Sequence, residues 1–426
     1  MNLEKSFKEN RLKPIKYILL FNVFTVFMLL IAPLNINYAN LVAFLFLLGA
    51  NFTFLYYGFK KGVNRKLVLS KHKYDVQQII MFIFVFYIAT LIIRYGFILK
   101  VNPFNIGELI SVISIGVAEP ALGYQRTHNE QIVQYIPWFI FFVTSIFNQL
   151  FYFFGIILWQ KLSKAFKVVY VLLFILEMIV WYGRGTNFGI TVLILLLFFN
   201  LLFFQKNKKT KKIAFIVLPI LSIFMFANLM ESRRDGYEIQ SLEEFDFTNN
   251  GLNRESIVFD IVPPELVETY MYVMSYFTQG YYHTLIALDM DFEFTYFFGN
   301  NPNLILFGEM LLGEKINENT YVYRMNTYGV DPEINWHSAY TWIASDTTFF
   351  LMPLLFMFIG YLYGMSWKLS FVYNDLFSKV IFLVISIFLI FLFANNNFIS
   401  SILYSFIFIL PYWYLTRIYK KEIVET

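Results

Sequence analysis

Clusters of basic residues recur at every second gap between long apolar runs in this chain, a pattern that constrains the fold to a bundle of membrane-crossing helices. Ten runs of roughly membrane length can be drawn, near 15–32, 39–59, 76–98, 135–158, 168–182, 188–204, 213–230, 347–366, 379–394 and 398–416. With the N-terminus placed inside, the inner segments hold 24 of the 33 Lys and Arg, because cationic side chains resist translocation. The gap from 231 to 346 carries five cations against 19 carboxylates and falls on the far side. The expectation is an all-α polytopic integral membrane protein with about ten transmembrane helices and both termini cytoplasmic. Residues 1–230 form a seven-span bundle, 231–346 one large extracytoplasmic loop domain, and 347–426 three further spans.

At 58% hydrophobic and only 15% charged, the chain is no ordinary soluble domain. A net charge of +4 spread over inner loops is a topology signal, and no nucleic acid is expected as a partner. The absence of cysteine excludes disulfides, thiolate chemistry and thiolate zinc sites. The first apolar run follows Lys5, Lys8, Arg11, Lys13 and Lys16 in the manner of a signal peptide, but the many later spans favour an uncleaved first helix. No internal repeat of the transporter kind is visible. The segment 99–134, with Glu108, Glu119, Arg126, His128 and Glu130 around an apolar stretch, is expected to hold a short interfacial helix.

In the large loop, Pro263 and Pro264 open a predicted helix that runs to Gln279 and breaks or kinks at Gly280. The loop is dense in aromatics, among them Tyr281, Trp336 and Tyr340, which suit either a membrane-interface belt or a platform for the C–H faces of sugars. Arg184 lies in the turn 183–187 between two apolar runs, where a guanidinium must snorkel to headgroups or face a cavity or partner. Arg233 and Arg234 sit on the side where the topology rule disfavours cations; each can bind phosphate oxygens through its planar fork or pair with Glu231 or Asp235. Arg254 and Arg324 are weaker candidates of the same kind, and Arg94 in the third span is a further one. His337 is the candidate general base, with Asp331, Glu333 and Asp346 nearby to orient it, and His283 is a second histidine of the loop. Asp289 and Asp291, with Glu293, make an Asp-x-Asp pair, but two acids in an acidic loop carry little weight, and no metal or other cofactor is expected. Glu177, alone in the fifth span, is expected to pair with Arg184 two helical turns along the same face. Asn395, Asn396 and Asn397 are expected to form an outer turn that satisfies backbone groups.

Two segments carry a family resemblance. The Gly183-Arg184-Gly185 turn resembles the small-Arg-Gly element that opens a span in bacterial O-antigen polymerases and ligases. His337-Ser338 through Gly360-Tyr361-Leu362-Tyr363-Gly364 is similar to the His-polar element before a late span of that superfamily. The layout looks most like the repeat-unit polymerases of O-antigen or capsular polysaccharide (Wzy type). Where relatives often carry a Gly near that span's start, this chain has Ser345-Asp346-Thr347-Thr348.

The resemblance implies a GT-C-like architecture in the bacterial cytoplasmic (inner) membrane. It implies metal-independent glycosyl transfer between undecaprenyl-pyrophosphate-linked oligosaccharide donor and acceptor on the outer face. Membrane lipid and a chain-length regulator protein would be further partners. Arg184, Arg233 and Arg234 would then stabilise the leaving pyrophosphate, His337 would take the acceptor proton, and Arg254, Arg324, His283, Trp336, Tyr340 and Tyr281 would bind substrate. Two alternatives stay open: a ligase that passes finished polymer to another lipid, and a flippase or other transporter of lipid-linked oligosaccharide.

Overall fold

Four glycines set a close contact between two long helices. Gly58 and Gly62 lie four apart on one helix, and Gly360 and Gly364 four apart on another. A Cβ added at any of them would fall inside contact distance of the facing carbonyl oxygen, that of Met357, Tyr361, Leu55 or Phe59 respectively. Small residues at this spacing let two backbones approach within an apolar bundle. The computed structural model describes residues 3–65, 76–118, 138–185, 188–205, 207, 209–213, 215–218, 251–332, 335, 337–394 and 409–417.

The chain forms two compact units, Met1–Leu67 with Ile239–Ser400, and Val68–Glu238 with Ser401–Thr426. The first contains α1 (Leu3–Asn10), α2 (Lys13–Ile31), α3 (Tyr38–Asn64), and the second α4 (Val76–Ile93), α5 (Ile106–Ala118), α6 (Trp138–Leu158), α7 (Lys164–Gly183) and α8 (Phe188–Phe204). The first unit also holds α9 (Pro264–Ala287), α10 (Pro302–Leu312), α11 (Ala339–Val372) and α12 (Leu376–Ile390). Among the described residues there is no strand, only an isolated antiparallel bridge between Leu34 and Leu252.

Among the described residues, five helices are long and apolar enough to cross a membrane: Phe7–Ile31, Tyr38–Asn64, Gln78–Leu99, Lys164–Gly183 and Ala339–Val372. The chain is an all-α membrane protein. Of the other expected runs, the one near 135–158 lies on α6, and those near 188–204 and 379–394 fall on shorter apolar helices. The runs near 213–230 and 398–416 lie largely outside the described residues.

In the first unit α3 and α11 pack along the glycine pairs, α12 lies against α11, and α9 packs on α2, α3 and α11. Two asparagines, Asn22 buried and Asn40 half-buried, tie this bundle together. The Asn22 amide donates to the carbonyls of Ile18 and Leu389 at 2.9 Å each, and Asn40 donates to Leu285 O at 3.0 Å and to Asp289 at 2.6 Å. In the second unit α4 packs on α6, with Tyr87 and Phe151 stacked at 3.7 Å, and α5 packs on α7. The last turn of α4 widens into a π-helical segment, Arg94–Leu99.

Candidate functional site

The helix opened by Pro264 does not break at Gly280 but continues to Ala287. A lone glycine inside a helix costs about 1 kcal/mol against alanine, and here its missing side chain is what allows packing. A Cβ at Gly280 would lie 2.9 Å from the Ser338 amide nitrogen and still nearer the Phe393 carbonyl oxygen. The extra two turns carry Tyr281, His283 and Thr284 into the interior, all fully buried. Ser338 caps α11, its hydroxyl accepting from Thr341 N at 3.3 Å, so His337 is the residue just before the cap.

The imidazoles of His283 and His337 lie 4.9 Å apart between centroids, and His337 meets the Trp342 ring edge-on at 6.3 Å. Beside them, Thr284 Oγ1 sits 2.6 Å from Ser338 Oγ and 3.0 Å from Thr341 Oγ1, and donates to the Gly280 carbonyl. Neither ring nitrogen of His337 has a hydrogen-bond partner among the described residues. Burial, aided by the neighbouring His283, pushes the His337 imidazole well below the usual histidine range. At neutral pH it is therefore uncharged, with one ring nitrogen that can accept a hydrogen bond and one that can donate.

Tyr281 and Tyr340 wall this region from inside rather than at its surface. Tyr281 hydrogen-bonds Thr25 of α2 at 2.9 Å, and Tyr340 stacks on Phe356 at 5.7 Å.

Asp346 does not orient His337 but closes a different structure. Its carboxylate accepts from Thr295 Oγ1 at 2.5 Å, Gly299 N at 2.6 Å, Asn300 N at 3.1 Å and Asn300 Nδ2 at 2.5 Å. The side chain is held by the turn 295–300, which has donors in excess of what one orienting contact would leave free. Backbone strain gathers here. Tyr296 and Phe297 have φ of 54° and 64°, and Thr348 has φ 62° and ψ 159° where α11 is interrupted. That last conformation is nearly reserved for glycine.

In the second unit, Glu177 pairs with Arg94 and not with Arg184. Its carboxylate also accepts from Tyr87 Oη at 3.0 Å and Trp181 Nε1 at 2.7 Å, while Tyr87 Oη lies 3.0 Å from Tyr152 Oη. The partner comes from another helix because α7 ends at Gly183. Arg184 is thereby its C-cap, followed by Gly185 at φ 61°. Arg184 instead lies over the Trp181 ring, 5.3 Å from its centroid, and Arg94 lies over the same ring at 5.2 Å.

Arg324 donates to Glu293 at 2.6 Å and to the Asp291 carbonyl, which turns part of the Asp-x-Asp segment into a loop tie. Among the described residues no cluster of three or more histidines and carboxylates is placed to hold a metal. Arg254 is exposed, next to the Leu34–Leu252 bridge. Arg233, Arg234, Trp336, Glu333 and Asn395–Asn397 lie outside the described residues. The hydroxyl trio of Thr284, Ser338 and Thr341 was missed as a set in the sequence. Once the helix is carried past Gly280, Thr284 falls one residue after His283, and that adjacency was the available signal.

The fold and buried polar groups define a class, the helical integral membrane proteins. No family model, curated protein or solved structure matches the chain.

Proposed function

We propose that this protein is a glycosyltransferase that polymerises polyprenyl-pyrophosphate-linked oligosaccharide repeat units on the outer face of the bacterial cytoplasmic membrane. The observation that carries the reading is His337: a buried, neutral imidazole with both nitrogens unclaimed among the described residues, next in the chain to Ser338, which clusters with the hydroxyls of Thr284 and Thr341. A buried polar group without a partner calls for one, and a sugar hydroxyl is a suitable proton donor to it. In the step proposed, the acceptor hydroxyl oxygen bonds to the donor's anomeric carbon as its proton passes to His337. The bond from that carbon to the pyrophosphate oxygen breaks, and the lipid pyrophosphate leaves with the electron pair. Cations must meet that charge, and the sequence candidates are Arg184, Arg233 and Arg234. The reading includes ten spans, both termini cytoplasmic and the large outer loop as the sugar-binding region.

One observation favours a second reading. An ion pair at the depth of Arg94 and Glu177 is a common mark of a transport pathway, which fits a lipid-linked oligosaccharide transporter. Surface glycolipids of a deletion strain, run on a gel beside wild type, separate the readings. A single repeat unit on the surface, with long polymer restored by the intact gene, supports polymerisation. Repeat units trapped on the cytoplasmic face support transport, and full-length polymer stranded on its carrier supports ligation.

A further inference from the structure

The short helix α10 is apolar on two opposite faces. One face, through Ile305 and Gly308, packs on Phe298 and Ile316. The other presents Leu306, Met310 and Leu311, the last two 69% and 63% exposed. Glu309, the one charged residue of the helix, is half-buried and accepts from Asn317 N at 3.0 Å. A helix that is apolar all round belongs in a core or in lipid. Beside α10, the chain 292–297 exposes Phe292, Phe294 and Phe297, and the rings of Phe294 and Phe297 meet edge-on at 5.3 Å. Tyr296 faces the Glu314 carboxylate just past α10, and Phe298 packs on Phe307 at 6.0 Å, so helix and turn make one surface. Its edge is polar, where the exposed Lys315 and Glu318 pair at 2.7 Å.

The height of this surface is set by α11. Thr295 donates to the Ser345 carbonyl at 2.8 Å and to Asp346 at 2.5 Å, and Tyr321 packs on Phe349 at 5.3 Å. From Phe349 to Val372 the helix runs about 36 Å, enough to cross a bilayer. Its first turns there expose Phe350, Leu351 and Leu354, Phe350 at 88%. On a membrane-crossing helix such a stripe faces lipid, and the apolar surface of α10 and the turn is tied to the chain where the stripe begins. We propose that α10 and the turn 292–297 lie in the membrane interface at that level, their exposed apolar side chains among lipid acyl chains. Apolar patches with a polar rim mark contact surfaces of this kind, and interfacial helices bury their apolar face about 5–10 Å into the headgroup boundary. The inference rests on the membrane class and uses nothing of the polymerase reading.

The chain has no cysteine, so Phe297→Cys, Met310→Cys and Leu311→Cys each place a single nitroxide on the full-length protein in liposomes. Glu318→Cys supplies an aqueous reference and Phe358→Cys, exposed on α11, a lipid one. Power saturation compares collisions with oxygen, which partitions into lipid, and with a water-soluble nickel chelate. Oxygen should dominate at all three patch positions as it does at Phe358, at a depth of about 5–10 Å, and nickel at Glu318. Nickel dominating at the patch as well would overturn the proposal. So would protection from both reagents together with spin–spin broadening that vanishes on dilution with unlabelled protein, which assigns the face to a second copy. A measurement on the unsubstituted protein removes any effect of the labels on folding. A diazirine-bearing fatty acid in the same liposomes should mark the segment 302–312 on illumination, and its absence there would contradict the lipid contact.

Discussion

His283 of α9 and His337 at the start of α11 face each other 4.9 Å apart, both buried, although 54 residues separate them in the chain. The contact exists because α9 runs through Gly280 and because Gly280 leaves room for the backbone at Ser338. It makes the first helix turn of α11 and the last turns of α9 one structural element.

This pairing gives stability a pH dependence. His337 titrates below its usual range when folded, whereas an unfolded histidine titrates near about 6.5. As pH falls through ~6.5 the unfolded chain takes up a proton that the folded one refuses, so stability declines toward acid. The thermal midpoint in detergent should drop between pH 7 and pH 5, and the drop should shrink in His337→Gln. Parallel profiles for the two proteins would remove the effect from this residue.

The Arg94–Glu177 pair should behave as a buried ion pair. Glu177→Ala strands a guanidinium and two further donors, Tyr87 and Trp181, at a cost of about 3–5 kcal/mol. Replacing both charges, as Arg94→Met/Glu177→Leu, should cost less than Glu177→Ala alone. Thermal midpoints of the single and double variants measure this, and a double variant worse than the single would count against it.

The glycine seam should tolerate no side chain. Gly62→Ala forces α3 from the Tyr361 carbonyl and should cost at least about 1–3 kcal/mol. Gly49, on the same helix, has open space around its would-be Cβ, and Gly49→Ala should be neutral or gain up to about 1 kcal/mol. Comparing folded yield and midpoint of the two variants checks the contact directly.

Thr348 offers the opposite sign. Its backbone strain is worth roughly 1–3 kcal/mol, while losing its hydroxyl, which accepts from Leu351 N at 3.4 Å, costs only a few tenths when glycine replaces a cap. Thr348→Gly should therefore raise the midpoint. If function uses that strain, the same variant should also lose activity.

The membrane class was legible because hydropathy and charge are one-dimensional signals. The runs on α2, α3, α4 and α7 could be placed within a few residues for that reason. What escaped was pairing between distant segments. Glu177 and Arg184 share a spacing that suits one helix face, but α7 ends at Gly183 and Arg94, 83 positions earlier, takes the carboxylate. Gly280 read as a break because propensity is local, whereas the close approach of Phe393 and Ser338 is tertiary. Asp346 read as an orienter for His337 by proximity in the chain, and the turn 295–300 outbids it with four donors. Gly360 and Gly364 stood in the segment that carried the family resemblance, yet their partners Gly58 and Gly62 lie some 300 residues away.

The most direct test of the account is glycosyl transfer by the purified protein in liposomes supplied with polyprenyl-pyrophosphate-linked repeat units from its own source. Wild type should convert single units to a ladder of longer chains and release polyprenyl pyrophosphate. His337→Ala, inserted to the same level, should be slower by about 10²–10⁴-fold. Absence of any ladder from wild-type protein, or an undiminished ladder from His337→Ala, would contradict the central claim.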